Sequence, residues 1–290
     1  MEPTTTGMNK TGAASRPECA QAMAEAVQRF SPPSDIDTSA AEQVRLLYLA
    51  ESQAVGSIPR PASFSGTLKT GVAQLMGERP ELLMDKIGER LAFERSGVRI
   101  YDALIVKYQA LSQEGVELPN ALQALQAQDE TGDAAAGADD AAGALPPTPA
   151  LPALEWPQSL GGEAAADTLR RIRAEELEHF HMLTDAMQQL GGDTTAQTPC
   201  ADVIGTASAG IVQVVTDPRT TFAQSLNAIL TIELTDNAGW ELLIQLADKA
   251  GEAELSEWFA NALAQEAQHL AIVRAWLAAL LLAEDTTPAL

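Results

Sequence analysis

The stretch AEELEHFHML, Ala174 to Leu183, places three carboxylates and two of the chain's three histidines inside a segment that reads as helix. Helical periodicity sorts them. The apolar series Leu169, Ile172, Leu183, Met187 and Leu190 steps by heptads, and the same stepping passes through Glu176 and His179. These two therefore share the core stripe. Glu178 and His181 step instead to Arg171, Glu175 and Asp185, a polar face that belongs in water; Glu175, Glu89 and Glu241 read as surface charge. Two overlapping E-x-x-H patterns thus occupy one helix, one facing in and one facing out.

The rest of the chain predicts an all-α protein. Ala and Leu dominate its 290 residues, aromatic content is 4%, and no long alternating β-branched run appears. A formal charge of −22 argues against nucleic acid or an anionic membrane as partner, because their phosphates would repel this surface. Cys19 and Cys200 lie far apart without a CxxC, which suggests neither a disulfide framework nor a zinc site and fits a reducing cytoplasm. The N-terminus lacks a basic and apolar leader. The most apolar tract, AIVRAWLAALLLA, is too short for a span and carries Arg274, so neither export nor a membrane is expected.

Residues 1–79 read as an N-terminal extension with one or two helices, ECAQAMAEAVQRF and roughly Ala40 to Val55, before the loop GSIPRPASFSG. The main body, 80–284, holds four long helices, and 285–290 form a tail. The first helix starts at Pro80, a residue favoured in the first turn, and runs toward Gly115. A low-complexity insertion occupies about 128–160. The second helix begins between Gly162 and Asp167 and stops at Gly191-Gly192; the third opens with Asp217 as N-cap and Pro218 at N1 and runs to about Ala250; the fourth runs from about Glu252 to Ala283. The apolar crossover ADVIGTASAGIVQVV either caps the bundle or forms a subunit contact, as in a homodimer.

The stripe test applied to the other helices finds one inward carboxylate on each. Glu94 sits between Leu91 and Val98, Glu233 between Leu230 and Trp240, and Glu266 between Leu263 and Leu270, with His269 one turn further on. Burying a carboxylate costs several kcal/mol, and four together repel one another. Two divalent cations remove both difficulties, with two neutral imidazoles completing the shell. Residues three apart on a helix point the same way, so each E-x-x-H is expected to offer two donors to one metal. Level also agrees: the midpoint of Glu233 and Glu266 falls beside Gly251, and that of Glu94 and Glu176 inside the insertion. All four carboxylates can meet in one layer.

A Glu on one helix followed by E-x-x-H on the next, twice, resembles the ferritin-like di-iron carboxylate superfamily, an antiparallel four-helix bundle with one long crossover. The resemblance covers roughly Pro80 to Ala283, with Glu94, Glu176, His179, Glu233, Glu266 and His269 matching the ligand pattern. It implies two iron ions, with manganese or a mixed pair as the alternative. The family includes ferritins, bacterioferritins, rubrerythrins, manganese catalases and oxygen-activating oxidases, so it implies chemistry with O₂ or peroxide, or oxidation of Fe(II), without naming the electron donor. An oxidase or oxygenase acting on an organic substrate, and a metal-free interaction module, stay open. Two cysteines cannot supply the four-cysteine iron site usual in rubrerythrins. Tyr101, seven residues after Glu94 on the same stripe, reaches a carboxylate beside the metals, supplies an electron or simply packs; Asp236 and Trp240 either orient a histidine or line the core.

Overall fold

A computed structural model describes residues 17–31, 37–51, 80–127 and 162–282. The insertion at 128–160, the loop GSIPRPASFSG and the 285–290 tail lie outside the described residues. Among the described residues all regular structure is helical. The chain divides into two compact units, 2–54 and 55–288 apart from single terminal residues. The first contains α1 (Pro17–Phe30) and α2 (Ser39–Glu51); α1 buries no residue. The second contains α3 (Pro80–Gln113), α4 (121–127), α5 (Ala165–Gln189), α6 (Pro199–Thr216), α7 (Phe222–Lys249) and α8 (Ala253–Leu282).

Local chemistry sets the helix ends. Gly191 takes φ 81° after α5, where its N–H bonds Gln188 O at 2.8 Å and the Gly192 N–H bonds Met187 O at 2.9 Å. These two bonds satisfy carbonyls that the helix leaves free, and only glycine enters that backbone region without strain. Gly251 ends α7 in the same way, with φ 74°, and lets the chain reverse into α8.

The start of α7 corrects the sequence reading. Asp217 is the C-cap of α6, and its carboxylate is occupied by the Arg219 backbone N–H at 2.8 Å and the Arg219 guanidinium. The N-cap is Thr221, which forms a capping box with Gln224. The crossover is itself an 18-residue helix, capped by Thr198 with Pro199 in its first turn. Among the described residues it is the helix long and apolar enough, by length and composition, to cross a membrane, whereas the AIVRAWLAALLLA tract belongs to α8. In the fold α6 packs on α3 and α7. Thr198 Oγ1 donates to Asp85 O at 3.1 Å and the Cys200 N–H donates to Asp85 Oδ1 at 2.9 Å, pinning one end. Lys107 Nζ donates to the carbonyls of Asp217 and Thr220, each at 2.7 Å, pinning the other. Consequently α6 runs parallel to α3.

Side-chain pairings give the register of the long helices. Arg173 meets Asp102 while His179 meets Glu94, so α3 and α5 are antiparallel. Arg90 meets Asp236 while Tyr108 meets Phe222, so α3 and α7 are antiparallel. The contacts of His179 and His269 reverse α8 against α5, and Trp240 on Phe259 belongs to the α7–α8 hairpin. Each long helix therefore has two antiparallel neighbours around a shared interior.

That interior is two apolar clusters. One gathers Tyr101, Leu104, Leu169, Ile172, Leu226, Ile229, Ile272 and Trp276; the other gathers Leu83, Ile87, Leu183, Met187, Trp240, Leu243 and Phe259. Helix α4 closes the first end, where Ala121 and Ala124 are buried and Trp276 Nε1 donates to Pro119 O at 2.9 Å. Along every long helix the change from one cluster to the other falls at the inward glutamate.

Candidate metal centre

Between the two clusters lies a polar layer. Glu94, Glu176, His179, Glu233, Glu266 and His269 are each at most 4% exposed. The helix register brings all six together. Their donor atoms form two groups, Glu94 with His179 and Glu266, and Glu176 with Glu233 and His269, each lying within 4.8 Å. Each E-x-x-H motif contributes one residue to each group, while Glu266 Oε2 also lies 3.1 Å from His269 Nδ1 of its own motif. The reason is geometric: residues three apart are offset by about 4.5 Å along the helix axis, so antiparallel neighbours pair a glutamate from one motif with the histidine of the other.

Both imidazoles turn Nδ1 inward and Nε2 outward. His269 Nε2 donates to Glu175 Oε2 at 2.8 Å, and His179 Nε2 donates to Gln265 Oε1 at 2.9 Å. These bonds leave the Nδ1 lone pairs facing the carboxylates in the neutral tautomer. Glu266 stands between the rings, with Oε1 2.7 Å from His179 Nδ1 and Oε2 3.1 Å from His269 Nδ1. The ring centres are 6.2 Å apart.

Glu175 is thus not the surface charge that its polar neighbours suggested. Arg171 Nη1 holds its two oxygens at 2.9 and 3.1 Å, and Arg171 Nε in turn reaches Glu163. Glu178 and His181 are exposed, as their face predicted, and line a surface pocket of about 490 Å³ whose lining also includes the buried His179 and the half-buried Gln265.

Tyr101 is fully buried and its hydroxyl donates to Glu233 Oε1. Asp236 touches neither histidine. Its carboxylate accepts from Arg90 Nη1 and, at 3.1 Å, from Trp240 Nε1, while the Trp240 ring meets His179 edge-on at 5.6 Å. Arg90, 1% exposed, also lies 4.1 Å over the Phe93 ring. Arg90, Glu175, Gln265 and Gly97 belong to this site although no pattern in the sequence assigns them to it. Gly97 matters for what it lacks: a Cβ there would lie 2.0 Å from Glu176 Oε2, so the glycine leaves the notch that the carboxylate fills.

Electrostatics follow from burial and crowding. Burial, followed by the charge of Glu266, raises Glu176 well above the usual carboxylate range and Glu233 to about 8. Burial alone would lower His179, but the carboxylates of Glu266 and Glu94 lift it to about 11. Burial would raise Glu266, yet the two histidines hold it low. Burial, then Glu233, raises the Tyr101 phenol, which stays protonated.

Both oxygens of Glu94, Glu233 Oε2 and Glu266 Oε1 are buried without a hydrogen bond, and the charge of His179, whose Nδ1 lies 2.7 Å from Glu266 Oε1 and 3.7 Å from Glu94 Oε2, is their nearest compensation. Buried carboxylate oxygens without a hydrogen bond are rare and costly. Two divalent cations would satisfy all of them at once, with oxygen and imidazole donors that suit iron and manganese alike. The residues therefore fit a dinuclear centre.

Comparison of the chain with protein-family models, curated proteins and solved structures yields no match.

Proposed function

We propose that the chain is a ferritin-like four-helix-bundle protein that holds two iron ions on Glu94, Glu176, His179, Glu233, Glu266 and His269, and that it reduces or activates O₂ or peroxide, or oxidises Fe(II). The observation that carries this reading is the set of buried carboxylate oxygens without a hydrogen bond, gathered in one layer between two apolar clusters. A pair of such ions supplies two electrons at once, which suits O₂ and peroxide.

The chain's own residues prepare the site. Glu175 and Gln265 hold each imidazole in the tautomer that donates from Nδ1. Glu266 can turn an oxygen toward either group as charge changes, because its two oxygens already face different rings. Tyr101 keeps Glu233 in place with a proton it does not give up near neutrality. The apolar clusters exclude water from both sides. A second reading, oxidation of a small organic molecule, is favoured by the 490 Å³ pocket beside His179, whose lining includes Trp258 and Met182.

The test is elemental analysis of the chain purified from iron-rich medium, paired with an oxygen electrode. Two irons per chain are expected, with O₂ or H₂O₂ consumed by the anaerobically loaded protein and not by a His179→Ala, His269→Ala control. Less than one metal per chain, or consumption equal to the control, refutes the proposal. Two manganese ions would move the reaction toward peroxide disproportionation.

A further inference from the structure

Building on the dinuclear reading, we infer that the two positions are unlike and fill in order: a divalent cation enters the Glu176, Glu233 and His269 position first and the Glu94, His179 and Glu266 position second.

The first position is held from outside on every side. His269 is backed by Glu175, a carboxylate that Arg171 grips through both oxygens and that Glu163 braces through Arg171. A histidine bonded to an anchored carboxylate is both fixed in orientation and a stronger donor. Glu233 is held by the Tyr101 hydroxyl, and Glu176 lies in the notch at Gly97. Three donors already in place lose little freedom when an ion arrives.

The second position lacks these supports. His179 is backed by the neutral amide of Gln265, which orients the ring without adding charge to it. Neither oxygen of Glu94 receives a hydrogen bond. Glu266 divides its oxygens between the two rings. The pocket also reaches this position and not the other: His179 and Gln265 line it, with the exposed carboxylates Glu178 and Asp185 at its edge. An ion held here is the one that water, a small ligand or an incoming cation can reach, so this is the exchangeable and reaction-facing position.

Titration of Co(II) into the metal-free, full-length chain, followed by visible absorption and calorimetry, tests the order. Two steps are expected, with dissociation constants at least about tenfold apart. Glu175→Gln removes the charge behind His269 and weakens the first step about 10- to 100-fold, the usual effect of losing such a partner, with little change in the second. Gln265→Glu supplies the missing charge behind His179 and strengthens the second step alone. One indistinguishable step in all three proteins, or Glu175→Gln acting on the weaker step, overturns the order. Should Glu175→Gln fail to fold by circular dichroism, Gln265→Glu decides by itself. Absence of any binding by the unmodified chain refutes the dinuclear reading instead, so the two failures are distinct.

Discussion

Replacing Gly97 by alanine separates the metal site from the stability of the helix that carries it. In the middle of α3 the substitution should stabilise, because alanine exceeds glycine in helix propensity by about 0.8–1 kcal/mol. The new Cβ would stand 2.0 Å from Glu176 Oε2, however, where side chains need at least 3.0 Å. The carboxylate must therefore retreat by about 1 Å, beyond the tolerance of about 0.5 Å within which a ligand set works. It is the far end of a flexible side chain, so it can move, and leaving a crowd of carboxylates is not costly without metal. The metal-free variant should melt at the wild-type temperature or up to about 4 °C above it, the shift that 1 kcal/mol gives a domain of this size. Metal affinity at the Glu176 position should fall about 10- to 100-fold, or about 1.4–2.8 kcal/mol. Thermal melts with and without chelator, combined with a Co(II) titration, read both quantities on one preparation. If Gly97→Ala bound two ions with wild-type constants, Glu176 would not be a donor and the reasoning would fail. A metal-free form destabilised by several kcal/mol would show instead that the helix packing cannot accept the methyl group.

Metal itself should stabilise the fold: a free ion at about 100 times its dissociation constant contributes about 2.7 kcal/mol per site, visible in a scanning melt as a rise over the chelated protein of roughly 5–10 °C for each site filled. Asp236→Ala leaves the Arg90 guanidinium buried without its partner and should cost about 3–5 kcal/mol in a urea titration, whereas a loss below about 1 kcal/mol would mean that the pair is not closed off from water. Burial and the Asp85 carboxylate push the Cys200 thiol from 9.0 up to about 11. The fold thus favours the neutral thiol; that contribution is whole below the ordinary value and is lost as pH rises through about 11. Iodoacetamide at pH 8 should label the exposed Cys19 well before Cys200, with the Cys200 rate climbing toward pH 11, and equal rates at pH 8 would contradict this.

Much of the helical framework was legible because its signals are local. Pro80 opens α3, Gly191 closes α5 and Gly251 closes α7, each by a rule that acts within one turn. The crossover helix carries the same kind of signal in its Thr198 cap and in Pro199, the first residue of the helix. Asp217 and Pro218 imitate a helix start; the structure gives that role to Thr221 because the Asp217 carboxylate is already taken by Arg219.

Which carboxylates enter the interior follows from periodicity along single helices, since a glutamate at a stripe position has nowhere else to point once that stripe is buried. Glu94, Glu176, Glu233 and Glu266 are accordingly within the core, together with His179 and His269. How donors pair does not follow from any one helix. Glu175 reads as surface charge by its own period, yet meets His269 because α8 passes it at the right height. Gln265 takes its place behind His179 for the same reason, and the value of Gly97 appears only when Glu176 arrives from across the interface. The linear order of residues thus set which groups leave water. Partner, spacing and access depend on the register of antiparallel neighbours, a relation between distant segments that side-chain packing decides and no local pattern encodes.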